Sequence, residues 1–380
     1  MKRYFLFTVA VILSAFSLTA QNYISYKEYH EGLLTADDFS KRGSTGDLIG
    51  QVYTGINTYS GDWEKVQGNL RVKRLKSVTV FDPIRSWVRS DTLTDQAVRY
   101  GQLIFDATEL TRRQMENHLA AGKYDTNYHM IIQRYFDVNE AVTDEIERVT
   151  ERGRDIIRLE QQEQIIAEEL ANLQDFSGNI PEYSLRKLYV GAYLGAASQF
   201  HLGNSASYFG PGYGFIYGFE GGYGRSAIHW DMVMGGGPKL KKNVPGDDIP
   251  TWLAGENAFY GEMSLQYAYN VYDSDWFRIS PFVGLGIGFI DYNNPDYGDG
   301  FTKDEIAGMR YVGGVCVDFK FRRSLYLVGD TVWSSIYGGL NENSLRLKVY
   351  LTQTSYDNGM SPYTLNCSLC FNLLSKYMKP

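Results

Sequence analysis

The sequence predicts two folds in one chain: an α+β domain over residues 21–180 and, over 181–380, an antiparallel up-and-down β-barrel of about eight strands, of the outer-membrane type. Three observations predict them. Between Leu188 and Leu373, short stretches alternate apolar residues with polar ones or glycine, and acidic, turn-rich loops separate the stretches. Between Asp95 and Leu173, apolar residues instead recur at helical spacing. The chain opens on a basic, then apolar, then small run of residues. Strand side chains alternate faces with a period of two and helical ones with a period near 3.6, so the two halves follow different geometries.

The opening run comes first. Lys2 and Arg3 precede an apolar stretch over 4–18, followed by Thr19, Ala20 and Gln21. That order is a secretory signal peptide, residues 1–20, cut after Ala20. The stretch is shorter than the ~20 apolar residues a spanning helix needs, and no cysteine follows the cut to carry a lipid. Next, 49–58 and 70–81 alternate weakly and are expected to be strands of a small sheet. Helices are expected over 95–118 and 128–173, the second carrying Ile131, Ile132, Tyr135, Val138, Val142 and Ile146, then Ile156, Ile157, Ile165, Ile166 and Leu170. The segment 123–127 is the break between them. Dense Arg, Glu and Gln over 148–169 mark a solvated surface.

Eight strands are expected in the second half, at 188–197, 214–223, 227–234, 259–269, 277–290, 309–321, 345–354 and 363–373. The stretch 325–333, with Gly329 and Asp330 at its centre, is a partial strand or loop. In the fifth strand Phe277, Ile279, Pro281, Val283, Leu285, Ile287 and Phe289 face one way, and Arg278, Ser280, Phe282, Gly284, Gly286 and Gly288 the other. A soluble sandwich turns the apolar row inward and a membrane barrel turns it outward, so alternation leaves both open. Composition and loops favour the barrel. Aromatics make up 15% of residues, with 30 Tyr and 39 Gly, which suits interfacial girdles and a crowded lumen. Long connections at 198–212, 236–258, 291–308 and 322–344 contrast with short ones at 224–226, 270–276 and 354–362. Asp247, Asp248, Asp291, Asp296, Asp299, Asp304 and Glu305 would make the rim acidic; the spacing over 291–299 is not that of a calcium-binding EF-hand.

The face opposite the apolar rows carries Glu220, His229 and Asp231 together with a charge network of Glu262, Arg278, Arg310, Asp318, Lys320, Arg346 and Lys348. An eight-stranded barrel is only wide enough to be filled by side chains, so these groups are expected to pair and leave no channel. Gly191, Gly195, Gly218, Gly284, Gly286 and Gly288 would make room for them, and Trp230, Trp276 and Trp333 would sit near the interfaces. Cys367 and Cys370, three apart, lie on opposite strand faces and are poor disulfide partners, so with Cys316 they read as small strand residues. Carried by pattern over residues 185–380, this half resembles the small outer-membrane barrels of Gram-negative bacteria, notably Bacteroidetes, where signal peptides ending in Ala-Gln are frequent.

A second resemblance lies in the first half. Leu34-Thr35-Ala36-Asp37-Asp38-Phe39, then Ser86-Trp87-Val88, then Phe105-Asp106-Ala107-Thr108-Glu109-Leu110 with Arg112 and Arg113 resemble the DUF922 family of zincin-like, secreted metalloprotease domains over residues 30–175. The family helix reads H-E-Q-x-H-F-D-I-x-E-L, with two histidines one turn apart as zinc ligands and the glutamate as general base. The resemblance places Tyr100 and Ile104 at the ligand positions and Gly101 at the base. A further E-T-x-H-G stretch matches 149–153 with Arg152 in the histidine's place. Those residues cannot assemble a tetrahedral zinc site, so the resemblance implies a pseudo-enzyme with no metal. The alternative is that Phe105, Asp106 and Glu109 only pack and pair within an ordinary helical domain. His118 and His129 follow the helix and read as surface residues.

The functional expectation is a non-catalytic outer-membrane barrel with a periplasmic pseudo-peptidase domain and a structural or partner-binding role, without cofactor. Its partners would be outer-membrane lipid and a periplasmic protein engaged through residues 95–173. A formal net charge of -7 argues against nucleic acid. Two other classes stay open: a secreted metal-dependent hydrolase with an unrecognised site, and a periplasmic lipocalin-like ligand carrier.

Overall fold

The computed structural model describes residues 26–42, 47–90, 93–123, 128–243, 252–292, 305–327, 338–356 and 362–379. The signal segment 1–20, Trp333 and the loop aspartates 247, 248, 296, 299 and 304 lie outside them. The chain divides into two compact units: one takes the described residues up to Tyr59 and Leu75–Glu182, the other Ser60–Arg74 and everything described from Tyr183 on.

In the first unit, short strands form two three-stranded sheets. β1 (Lys27–Glu28), β7 (Leu75–Phe81) and β4 (Thr54–Ser60) make one, while β2 (Ser40–Arg42), β8 (Trp87–Arg89) and β3 (Gly50–Gln51) make the other. Three helices accompany them: α1 (Thr94–Ala120), α2 (Tyr128–Val149) and α3 (Ile156–Asn172). The apolar face of α1 supplies two clusters. Ala97 and Phe105 pack with Leu34, Phe39, Phe81 and Val88, and Tyr100, Leu103, Ile104 and Leu110 pack with Ile146, Leu159 and Ile166. The helical pattern expected to run over 128–173 is interrupted at 150–155. There Glu151, Arg152 and Gly153 take left-handed backbone with φ of 50°, 56° and 81°, and the Asp155 carboxylate caps α3 by accepting from the amides of Ile157 and Arg158. Glycine followed by aspartate two residues on is the sequence signal for that stop and restart.

The second unit is a closed cylinder. Its walls are β9 (Leu185–Leu202), β10 (Gly212–Tyr223), β11 (Ser226–Lys239), β12 (Asn257–Tyr269), β14 (Phe277–Tyr292), β15 (Glu305–Tyr326), β16 (Gly339–Tyr356) and β17 (Tyr363–Met378). Each pairs antiparallel with the next, and β17 returns to β9, closing an eight-stranded up-and-down barrel. A two-residue strand, β13 (Tyr272–Asp273), folds back on β14. All eight expected strands are present and longer than drawn from sequence, at 12 to 22 residues. We call the end holding residues 185 and 378 proximal and the other distal.

The extra length explains a correction. The stretch 322–344, expected as one long loop, is largely strand: β15 continues to Tyr326 and β16 begins at Gly339, so the connection shrinks to 327–338 and joins the strands at the proximal end, as 224–225 and 270–276 do, whereas the connection expected as short at 354–362 joins β16 and β17 at the distal end. Beyond Phe321 and Leu345 the outward positions of these strands become Arg322, Asn341 and Asn343, so the apolar row that marks a strand in the sequence stops although the strand does not.

That extension leaves an edge. β14 starts opposite Phe319 and the Lys320 amide still donates to the Trp276 carbonyl at 2.7 Å, so the ladder with β14 ends there and residues 321–326 of β15 lack a β14 partner. The hairpin of β5 (Glu64–Gln67) and β6 (Leu70–Lys73) fills the gap, with β6 pairing parallel to Arg323–Tyr326. Asn69 at its turn donates to the carbonyls of Asp275 and Lys320, each at 2.8 Å, and Val72 is fully buried. An exposed strand edge invites pairing with other chains, and this hairpin covers it from within. Leu70–Lys73 therefore belongs to the barrel sheet rather than to the small N-terminal sheet expected from the alternation over 70–81.

Candidate functional site

The barrel's polarity is inverted relative to a soluble protein. Outward side chains are apolar and open to the surroundings, as at Leu285, 52% exposed, while Arg346 and Lys348 inside are 0% exposed. Outward aromatics gather towards both ends. Phe277 lies 5.4 Å from Phe319, Phe321 5.8 Å from Phe371 and Phe219 5.8 Å from Trp230 proximally, with Phe259 6.2 Å from Phe289 distally. Trp276 is exposed at the proximal end.

Inside, five buried acids, Glu220, Asp231, Glu262, Asp318 and Glu342, face five buried bases, Arg278, Arg310, Lys320, Arg346 and Lys348. They form tiers along the axis. Proximally, Lys320 Nζ bonds Asp273 at 2.5 Å and Glu342 at 3.2 Å. In the next tier Arg346 donates through Nε to Asp318 at 2.7 Å and through Nη2 to Glu220 at 2.9 Å, while Arg278 spans the same two carboxylates through Nε at 2.7 Å and Nη2 at 3.0 Å. His229 Nε2 lies 3.2 Å from Glu220, and the Tyr193 ring lies under the Arg346 guanidinium at 4.5 Å. Above them Lys348 reaches Asp231 at 2.5 Å and the Gln266 carbonyl at 2.9 Å, and Tyr193 donates to Asp231. Most distally Arg310 pairs with Glu262 and donates to Thr354 Oγ1 at 2.8 Å, while the Tyr350 hydroxyl donates to Glu262 at 2.7 Å.

Towards the distal end the filling is mixed: His201, stacked on Phe209 at 4.8 Å, is buried there with Gln199, Thr364 and Asn366, beside an apolar cluster. Phe209, Leu240 and Trp252 from the connecting segments pack with Tyr260, Ile290, Ile306 and Tyr356. Two of the six lumen glycines make room for charged side chains: a Cβ at Gly191 would meet Glu220 Oε1 at 2.8 Å, and one at Gly288 would meet Arg310 Nε at 3.1 Å. Gly195, Gly284 and Gly286 instead lie against backbone of the neighbouring strand. All seven network residues expected from alternation are thus placed in the interior, with Glu220, His229 and Asp231. Glu342 was missed because it lies in the proximal extension, where the outward row gives no contrast. Tyr193 and Tyr350 carry no distinctive signal on a strand, and Gln266, which alternation puts on the same face as Glu262, stands outside the expected network because it is uncharged. All three cysteines are free; Cys316 Sγ lies 3.8 Å from Asp318 Oδ1.

The zincin positions of the first unit are also brought together. Tyr100, Gly101 and Ile104 are buried on α1, and a Cβ on Gly101 would stand 2.6 Å from the Phe39 ring. Gly153 abuts Tyr100 so closely that a Cβ there would lie 2.6 Å from the Tyr100 Cβ. Burial, then the Glu147 carboxylate, raises the Tyr100 phenol pKa, and Arg152 Nε sits 3.3 Å from the same Glu147. An apolar core and a Tyr–Glu–Arg contact occupy the place where the resemblance would put zinc, and these residues do not fit the metal. Among the described residues, no group of three His, Cys, Asp or Glu stands close enough to hold a metal ion. Glu109 accepts from Thr79 at 2.8 Å, Arg112 at 2.7 Å and Arg113 at 2.7 Å. Its burial would raise the carboxyl pKa, but the two arginines bring it below the ordinary value. Asp106, bonded to Tyr29 at 2.9 Å and Gln102 at 2.6 Å, is raised by burial.

No protein-family model matches the chain, so the likeness to DUF922 stands on its motif residues alone. No curated protein matches it either. Among solved structures it is similar to Ail, the attachment invasion locus protein of Yersinia pestis, at 8% identity over 50% of this chain and 98% of that one, with a TM-score of 0.27. Neisserial surface protein A is similar at 10% identity over 50% and 97% of the two chains with a TM-score of 0.30, and the outer membrane protein OprG of Pseudomonas aeruginosa at 10% over 52% and 98% with a TM-score of 0.24. At these scores the functional reading rests on the barrel's own geometry.

Two substitutions probe these clusters. Arg346→Ala strands Glu220 and Asp318 without one of their shared partners, and about 3–5 kcal/mol of barrel stability should be lost. Urea unfolding of the folded protein in detergent measures it; a loss within experimental error would show the tiers to be dispensable. Glu109 has a lowered folded pKa, so its contribution is complete above its unfolded pKa, near 4.3, and disappears as pH falls through the folded value. Glu109→Gln should therefore cost about 2 kcal/mol at neutral pH and remove that share of the acid-side loss, read from amide exchange in α1.

Proposed function

We propose that this chain is a non-catalytic outer-membrane protein: a lipid-embedded, side-chain-filled barrel that carries a periplasmic N-terminal domain with a structural or partner-binding role. The observation that supports it most is the polarity. An outward row of exposed Leu, Ile, Val and Phe circles a closed wall whose interior is charged and paired, the polarity of a barrel with hydrocarbon outside and ions within. Eight strands return both ends to one side, and the short turns at 224–225 and 270–276 lie at that side, the periplasmic one in such barrels. Among the described residues no helix is long and apolar enough to cross a membrane.

The filled interior supports a scaffold or binding role over transport. Among the described residues, ten mutually paired charges and a distal cluster around Phe209, Leu240 and Trp252 fill the interior with side chains. It also argues against a lipocalin-like carrier, whose cavity would be greasy and vacant. For the N-terminal domain, the packed Tyr100, Gly101 and Ile104 and the Arg152–Glu147 contact support a pseudo-peptidase, and residues 95–173 offer a helical surface for a periplasmic partner.

Envelope fractionation with heat-modifiable gel migration and metal analysis tests the proposal. The protein should sediment with the outer membrane, migrate faster unboiled than boiled, and hold far less than one zinc per chain. A water-soluble periplasmic species would overturn the membrane placement, and one zinc per chain the non-catalytic reading.

A further inference from the structure

β11 ends distally at Lys239; Leu240, Lys241 and Lys242 follow it, and the three lysines are exposed. Their surroundings hold them in place. Gly210 donates to the Lys239 carbonyl at 2.8 Å, the Lys241 amide donates to the Tyr208 carbonyl at 2.7 Å, and Leu240 donates to the Glu256 carbonyl at 2.8 Å. Lys241 Nζ donates to the Ala206 carbonyl at 2.8 Å, and Lys242 Nζ lies 5.7 Å from the Tyr208 ring centre. Beneath them Leu240 is buried in the distal cluster with Phe209 and Trp252. Among the described residues no carboxylate forms an ion pair with any of the three; the nearby Glu256 is exposed.

Two further observations fix what this cluster can meet. Gly236, three residues before Lys239, is flanked across the sheet by Tyr213 and Phe259, outward aromatics of the distal girdle. Lys239 therefore stands one strand-step pair beyond the apolar band, at headgroup depth. Beside the cluster an apolar groove runs between the turn carrying Tyr208 and Phe209 and the start of β17 at Pro362 and Tyr363, and Tyr363 faces outward. Cations at headgroup depth beside an apolar groove edged by the outward Tyr363 suit a lipid rather than a soluble anion.

We propose that Lys239, Lys241 and Lys242 bind the phosphate groups of a phosphorylated glycolipid of the surrounding outer leaflet, with the Tyr208–Tyr363 groove taking an apolar part of the same molecule. This rests on the outer-membrane reading above. Charge complementarity carries it: in a chain of net charge -7, three neighbouring lysines, none of them in an ion pair with a carboxylate among the described residues, are gathered where anionic headgroups lie.

Native mass spectrometry of the full-length protein, folded in detergent and challenged with lipid A in its phosphorylated and dephosphorylated forms, tests the assignment. The phosphorylated form should be retained selectively, and the triple variant Lys239→Gln, Lys241→Gln, Lys242→Gln should bind it about a hundredfold more weakly, with heat-modifiable migration unchanged. Equal retention of the two forms, or a triple variant that binds like the parent, would overturn the site. Full displacement by inorganic phosphate would show a free-anion site and overturn the lipid assignment. A chain that is folded and inserted yet indifferent to lipid phosphate sinks this inference alone, whereas one that never inserts sinks the outer-membrane reading with it.

Discussion

Closing a sheet on itself removes water from its interior, and every charge left inside must then be answered by another. In this barrel Asp318 and Glu220 each accept from both Arg278 and Arg346, so that four side chains from four strands neutralise one another at one level. The residues belong to β10, β14, β15 and β16, and only the closed register brings them to one height. An unpaired charge in such a place would cost several kcal/mol, so the pairing constrains register as strongly as the outward apolar row does. A one-residue slip would carry arginine to the outer face and leucine to the lumen.

The same alternation sets limits at each end. Distally, Phe209, Leu240 and Trp252 from the connecting segments pack into the end of the cylinder with Tyr260, Ile290 and Tyr356. Proximally, the wall continues past the apolar band on β15, β16 and β17, and the chain covers the resulting edge with a hairpin borrowed from between β4 and β7. Lys320, Arg323 and Lys376 share Glu342 there. That end is tied by ion pairs and a short parallel pairing, and the distal end by apolar packing.

What could be read in the residues follows from where contrast exists. Period-two alternation located all eight strands, because lipid-facing Leu, Val and Phe stand beside lumen-facing Arg, Asp and Gly. The contrast vanishes at Asn341, Glu342 and Asn343, where both faces are polar, and there the strand has the pattern of a loop. Length and composition could not reveal that Leu70–Lys73 leaves its neighbours to join the barrel, since a four-residue parallel pairing is decided by the partner edge and not by the strand's own residues. In the first half, helical spacing found the helices but not the stop at Glu151–Gly153. The motif residues Tyr100, Ile104 and Arg152 do converge, on Glu147 and the core around Ile146, and their chemistry is packing and one ion pair.

Reconstitution of the folded protein into bilayers whose lipids carry a photoactivatable group mid-chain, followed by mapping of the labelled residues, addresses the polarity most directly. The account expects label on Leu285, Ile287, Leu345 and Val349 and none on Glu262, Arg278, Arg346 or Lys348. Label absent from the four apolar positions, or found on the four charged ones, would contradict it.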